Sequence, residues 1–134
     1  MGREGCRSYS SPRFDRVTPE TLDRLAVQRT IDLTTVGRRS GRPRTVEIWW
    51  FAVEGRFVIT GTPGVRDWYA NVLADPSIVI HALGMELPAL AQPITDRATR
   101  RMLFEHPDLR WYSSQAPLEE LVATSPMVEV RFLG

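Results

Sequence analysis

Hydrophobic and polar positions follow two periods along this chain, and the switches between them mark the predicted elements. After Thr18-Pro19-Glu20, which offers a hydroxyl cap, a proline at the first helical position and an acid in the first turn, Leu22, Leu25 and Ala26 share one face. That predicts a short helix over about residues 18–28. From Ile31 the period drops to two: Ile31, Leu33 and Thr35 alternate with Asp32, Thr34 and Val36, the pattern of a strand. The segment GRRSGRP (37–43) interrupts it, and a strand rich in Val, Ile, Trp and Phe resumes over 45–53. Glu54-Gly55 is a tight turn, and 57–60 is the return strand of a hairpin. Gly61-Thr62-Pro63-Gly64 forms a turn, after which Asp67 is expected to cap a helix with Trp68, Val72 and Leu73 on one side, ending before Asp75-Pro76. Strands follow over 77–83 and from the turn at Gly84-Met85 through Leu90 towards Pro93. Thr95-Asp96 caps a helix to about Glu105, His106-Pro107-Asp108 stops it, and 108–123 reads as a loop with one further short helix. A final strand covers 127–132, with Val128, Val130 and Phe132 facing one way. About six strands with short helices between and around them predict a mainly β (α+β) fold, a small antiparallel barrel.

Composition narrows the class. The chain has 134 residues, 43% hydrophobic and 25% charged, enough for a single soluble domain that buries about two-thirds of its unfolded surface. Residues 1–17 mix Gly, Ser, Pro and Arg without period and read as a disordered arm ahead of a domain over 18–134. The 17 basic residues are all arginine and nearly balance 16 acids, for a net charge of +1. This argues against nucleic acid as a partner, which would need a broadly basic surface. Four arginines, Arg38, Arg39, Arg42 and Arg44, nevertheless fall within one short loop. The lone cysteine, Cys6, allows no intrachain disulfide, and with only His81 and His106 no metal site is expected. No window is apolar enough for a membrane span and the N-terminal stretch has no signal-peptide core, so a cytoplasmic protein is expected. Met1-Gly2 as a myristoylation start is disfavoured by Cys6 standing where Ser or Thr belongs.

Candidate chemistry concentrates in two stretches. In TTVGRRSGRPRT (34–45), Gly37 and Gly41 permit positive backbone angles, Ser40 and the amides can donate, and the arginines offer planar forks suited to phosphate or carboxylate. The segment is either an anion site or a solvated hairpin loop. In TGTPGVRDWYANVLADP (60–76), a turn precedes a helix N-terminus near Arg66, either another place for an anion or polar ring edge or an ordinary capped connection. Trp49 and Phe51 must face opposite to Trp50, so one face is core and the other is core, dimer interface or a platform for a planar ligand. Trp68 and Trp111 carry the same choice. Tyr112, beside Ser113 and Ser114, is either a proton donor or the cover of a hydrophobic edge. Neither histidine is favoured as a base, and no nucleophile elbow, Walker loop or dinucleotide fingerprint is present, so any catalysis must come from a bound cofactor.

Together, Leu33-Thr34-Thr35, Gly37-Arg38-Arg39-Ser40-Gly41, Pro43-Arg44, Gly61 to Gly64 and the Trp68-Tyr69, Asn71, Leu73, Asp75-Pro76 pattern resemble the deazaflavin-dependent nitroreductase family. These are split β-barrel proteins of the FMN-binding type, related to flavin-dependent pyridoxamine phosphate oxidases. The resemblance implies a six-stranded antiparallel split barrel. It implies that Arg38, Arg39, Ser40 and Gly41, in the loop that also carries Arg44, bind the phosphate and acidic tail of coenzyme F-420. It implies further that Ile48, Trp49 and Trp50 with Thr60, Gly61 and Thr62 wall the deazaflavin ring, near Arg66 and Trp68. Hydride would pass to a nitro, quinone or enone acceptor in an apolar pocket, with Tyr112 or water supplying the proton. Glu47 stands where the family often has proline, and the family's tyrosine-rich substrate wall is reduced to Tyr112 beside Trp111. The expected function is F-420-dependent reduction by a homodimer that covers the exposed tryptophan face. The alternatives are an FMN-dependent reductase of the same fold and a cofactor- or ligand-binding barrel without turnover.

Overall fold

A computed structural model describes residues 17–133. The expectations for the N-terminal arm, the myristoylation start and Cys6 concern residues 1–16 and lie outside the described residues, apart from Val17. In chain order the elements are α1 (Pro19–Ala26), β1 (Thr30–Val36), β2 (Pro43–Trp49), β3 (Phe51–Val53), β4 (Arg56–Thr60), α2 (Asp67–Ala74), β5 (Ser77–Ala82), β6 (Met85–Pro93), α3 (Arg97–Glu105), a 3-10 turn (Pro107–Leu109), α4 (Arg110–Ser113), α5 (Leu118–Thr124) and β7 (Met127–Phe132).

The strands form one sheet in the order β2-β1-β5-β6-β7-β4-β3, every neighbouring pair antiparallel. β2 and β3 occupy opposite edges of that order, yet only Trp50 separates them in the chain. The sheet must therefore curl until its two edges approach each other, which makes the mainly β split barrel. The expected single strand over 45–53 is broken at Trp50, where the chain leaves one edge and joins the other, and this raises the strand number from six to seven. Trp50 is 1% exposed, and its backbone amide donates to the carbonyl of Arg29 at 2.9 Å, a bond to the segment before β1 instead of to a ladder.

The barrel interior is filled by Ile31, Leu33, Trp50, Phe57, Ile59, Ile80, Leu87 and Val128 among others, with Leu25 of α1 closing one end. A second apolar cluster lies on the other face of β3 and β4, where Phe51, Val53 and Val58 meet Leu103, Phe104, Leu109, Tyr112, Leu121 and Val122 from the helices after β6. The segment after His106 is thus three short helical pieces instead of a loop with one, because Leu109, Tyr112, Leu121 and Val122 each have a place in this cluster.

Turn chemistry follows the sequence closely. Glu54 and Gly55 both take positive φ (50° and 80°), as do Leu83 and Gly84 (57° and 72°), one position earlier than the expected Gly84-Met85 turn, the conformation that two-residue hairpins require. Thr18 caps α1 by accepting from the amide of Thr21 at 3.1 Å, and Asp96 caps α3 by accepting from that of Thr99 at 2.9 Å. Among the described residues no helix is long and apolar enough to cross a membrane, and no group of His, Cys, Asp and Glu is arranged to hold a metal.

Candidate functional site

The hairpin loop between β1 and β2 is closed on itself. The amide of Gly37 donates to the carbonyl of Arg42 at 2.8 Å, that of Gly41 to Gly37 at 2.8 Å, and that of Arg42 to the Ser40 hydroxyl at 3.1 Å. The two glycines serve different ends. Gly41 sits at φ 72°, where an L side chain is strained, whereas Gly37 has an ordinary backbone and is small for want of room. A Cβ there would lie 2.7 Å from Ser40 Oγ and 3.0 Å from the Arg42 carbonyl oxygen. The expectation of positive angles at both positions is corrected accordingly.

Register places Arg44, Val46 and Ile48 of β2 opposite Thr35, Leu33 and Ile31 of β1, on the side that faces the barrel interior. Those β1 partners are buried, but Arg44 and Val46 are exposed. Here the interior opens into a cleft of about 630 Å³ between β2 and the loop on one wall and the start of α2 on the other. Thr35, Arg38, Arg39, Ser40, Arg44 and Val46 line the first wall, and Asp67, Trp68 and Asn71 line the second. The cleft thus joins the two stretches that the sequence singled out, with guanidinium and hydroxyl groups towards the loop and Val46 and Trp68 as apolar surface. Its volume is in the range of small-ligand sites.

The other predicted site residues do not line it. Gly41 borders a separate shallow groove with Val36, Ile78 and Val79. Ile48 continues the cleft-facing side of β2 but is half-buried against the core. Trp49 points to the opposite face, 40% exposed, with its ring edge-on to Trp111 at 5.4 Å. Trp50 belongs to the core, its indole N–H donating to the carbonyl of Gln28 at 2.9 Å, so it cannot serve as a ring wall. Thr60 is buried and donates to the Pro126 carbonyl at 2.6 Å. Arg66 folds back on its own turn, donating to the carbonyl and hydroxyl of Thr62 at 3.0 and 2.8 Å and to the carbonyl of Val65 at 3.2 Å. Arg66 thus ties residues 62–66 together, and none of residues 60–66, Gly61 included, lines the cleft. Asp67 is also corrected: Arg66 is the N-cap residue of α2, no side chain caps the helix, and Asp67 sits one position further in, turned towards Arg38 at 3.3 Å.

Tyr112 is corrected as well. It is 3% exposed in the second cluster, among Phe51, Phe104 and Trp111, and burial pushes its phenol up to about 12. It covers a hydrophobic edge instead of facing the cleft. Of the histidines, His81 Nε2 meets the Thr34 hydroxyl at 2.8 Å, and His106 Nδ1 accepts from the amide of Asp108 at 3.1 Å, so both have structural partners.

Among the cleft residues given no site role by the sequence, Val46 and Asp67 included, Asn71 makes the most hydrogen bonds across it. The buried side of α2 is Trp68, Asn71 and Val72, while Leu73, expected there, is 59% exposed. Asn71 donates through Nδ2 to Thr35 Oγ1 at 3.0 Å and accepts through Oδ1 from the backbone N–H of Arg38 at 3.1 Å and from its Nη1 at 2.9 Å. The available signal was helical spacing, since a carboxamide at i+3 from Trp68 falls on the buried stripe.

The sequence profile of a family described as F420H(2)-dependent quinone reductase matches residues 11–119. The chain belongs to this family. Its function is accordingly that of an F-420-dependent reductase, with coenzyme F-420 as the cofactor. Solved structures share the fold. One described as an F420 reductase is 22% identical, covers 87% of this chain and 97% of its own, with a TM-score of 0.57. A FAD-binding protein from Mesorhizobium loti is 12% identical over 87% of this chain and 91% of its own, at 0.63. A third, described as a domain-swapped dimer, is 20% identical over 78% of this chain and 81% of its own, at 0.58.

Proposed function

We propose that the cleft between the arginine loop and α2 holds coenzyme F-420, with Arg39, Ser40 and Arg44 at its phosphate and acidic tail and the Val46 and Trp68 side chains against its ring. The observation that carries this reading is the cleft itself, which lines one space with the guanidinium groups of Arg39 and Arg44, unpaired among the described residues, and an apolar patch. That donor set fits the group: planar cations for an anionic tail and apolar carbon for a planar ring. When bound, the reduced coenzyme supplies hydride from its ring carbon. The chain's own part is to bind, orient and shield. Among the described residues no histidine or tyrosine lines the cleft, and the Arg38 and Asp67 side chains are turned to each other, so the proton for a quinone, nitro or enone acceptor comes from water.

The assembly that fits best is a homodimer. Trp49 and Trp111 are 40% and 48% exposed, side by side, and a relative of the same fold is a domain-swapped dimer. A reductase that draws on a recycled coenzyme fits the cytoplasm.

Titration of the purified protein with F-420 and, separately, with FMN tests the site. F-420 is expected to bind and, when reduced, to be reoxidised by a quinone. Arg39→Ala and Arg44→Ala should each weaken binding by about tenfold or more, because a charge-assisted hydrogen bond is worth about 1.5–3 kcal/mol. Preference for FMN supports the flavin alternative, tight F-420 binding without turnover on quinone or nitro acceptors supports a carrier, and unchanged affinity in both folded arginine variants removes the assigned tail site.

A further inference from the structure

Asn71 is buried, 3% exposed, and its side-chain hydrogen bonds run across the base of the cleft. The loop it contacts already keeps its own shape through the bonds among Gly37, Ser40, Gly41 and Arg42. What those bonds leave open is where this preformed loop sits relative to α2. Among the described residues, two side-chain links join them, through Asn71 and Asp67. The Arg38–Asp67 pair at 3.3 Å lies at the surface, with the Asp67 side chain 88% exposed, and such pairs hold little. Asn71 is out of water, where a carboxamide bonded at both ends has no competing partner.

We infer that Asn71 is a positioning residue for cofactor binding: by gripping the backbone and guanidinium of Arg38 while tied to Thr35, it fixes the arginine loop at the spacing from α2 that the ligand needs. This rests on the reading that the cleft holds F-420. Arg38 then acts as the handle by which the loop is held, and Arg39 and Arg44 remain free to meet the anionic tail. Preorganisation of this kind raises affinity by removing the cost of ordering the loop on binding.

The test is fluorescence titration of F-420 at several salt concentrations, with near-UV circular dichroism and thermal melts as the check on folding. Asn71→Leu, near the same size and without hydrogen bonds, is expected to weaken binding about tenfold while leaving the dependence of affinity on salt unchanged, because no charge is removed. Arg39→Ala and Arg44→Ala should weaken binding and flatten that dependence. Asn71→Asp still accepts from Arg38 and can accept from the Thr35 hydroxyl, so it should keep affinity within about threefold of the unaltered protein. Should Asn71→Leu fail to fold, Asn71→Ser, one bond shorter and out of reach of Arg38, carries the same expectation. A folded Asn71→Leu protein that binds as the unaltered one does, or that flattens the salt dependence as Arg39→Ala does, overturns the positioning role. Failure of the unaltered protein to bind F-420 removes the site itself, and the positioning role with it.

Discussion

Tyr112 is ringed by Phe51, Phe104 and Trp111 at centroid distances of 5.8, 6.1 and 5.1 Å, and this apolar surround raises its phenol from 10.0 to about 12. The unfolded chain therefore loses this proton near pH 10 and the folded chain near 12. Stability from the neutral phenol is complete below pH 10 and is lost as pH rises through that window, about 3 kcal/mol in all. Tyr112→Phe should flatten the alkaline limb of a stability–pH profile measured by urea unfolding; an unaltered fall between pH 10 and 12 would assign it to other groups. At this scale the sequence showed the chemistry of the arginine loop but not its division of labour. That Arg38 is clamped while Arg39 and Arg44 have no partner among the described residues depends on Asn71, 33 residues further along the chain from Arg38, and no local pattern reports such a pairing. Trp50 was similarly ambiguous, because consecutive aromatic residues fix only that neighbours face opposite ways.

Elements were the most legible part. The hairpin at Glu54-Gly55, the caps at Thr18 and Asp96 and the β5–β6 pair follow from turn and cap residues acting within a few positions of each other. The helices after β6 were less so, because a tertiary contact holds them. Arg100, on α3, is 6% exposed and has no carboxylate partner among the described residues; its guanidinium donates to the carbonyls of Ile94 at 2.8 Å, Val122 at 2.6 Å, Ser125 at 2.6 Å and Leu121 at 3.4 Å. Three of those carbonyls lie at the end of α5 or just beyond, where the helix dipole is negative and accepts a cation. Burial accordingly lowers its pKa from the usual arginine value. Arg100→Met should cost at least about 3 kcal/mol, since several buried acceptors lose their donor at once. Arg100→Lys should recover only part of that, because an ammonium is a point donor and cannot span the four carbonyls. Equal stability of the two variants in chemical denaturation would show that the planar fork is not what joins α3 to α5.

At the scale of the whole molecule, the curl of the sheet is the feature that makes a cleft, and it rests on long-range order that periodicity cannot supply. The strands could be read one by one, but β2 and β3 at opposite edges of one sheet could not, since pairing partners are set by the entire chain. The single residue between those edges is Trp50. Its amide and indole N–H are bonded to the segment before β1, through Arg29 and Gln28, and its ring packs on Phe57 at 4.7 Å and Phe132 at 6.3 Å. It fixes the direction in which the chain crosses from one edge to the other, and with it the placing of β2 as one wall of the cleft. Trp50→Ala should cost about 3–5 kcal/mol in urea unfolding, the range for emptying a large aromatic site in a core. Trp50→Phe keeps most of the packing and loses the indole bond, so it should cost less and leave a folded protein in which the closure can be probed. In that variant the loss should reach the site: F-420 affinity should fall with the edge placement, while the second cluster around Tyr112, on the other face of the sheet, keeps its alkaline titration. A Phe variant with full F-420 affinity would mean that β2 is positioned by its pairing with β1 alone, and that the crossing at Trp50 matters for stability but not for the cleft.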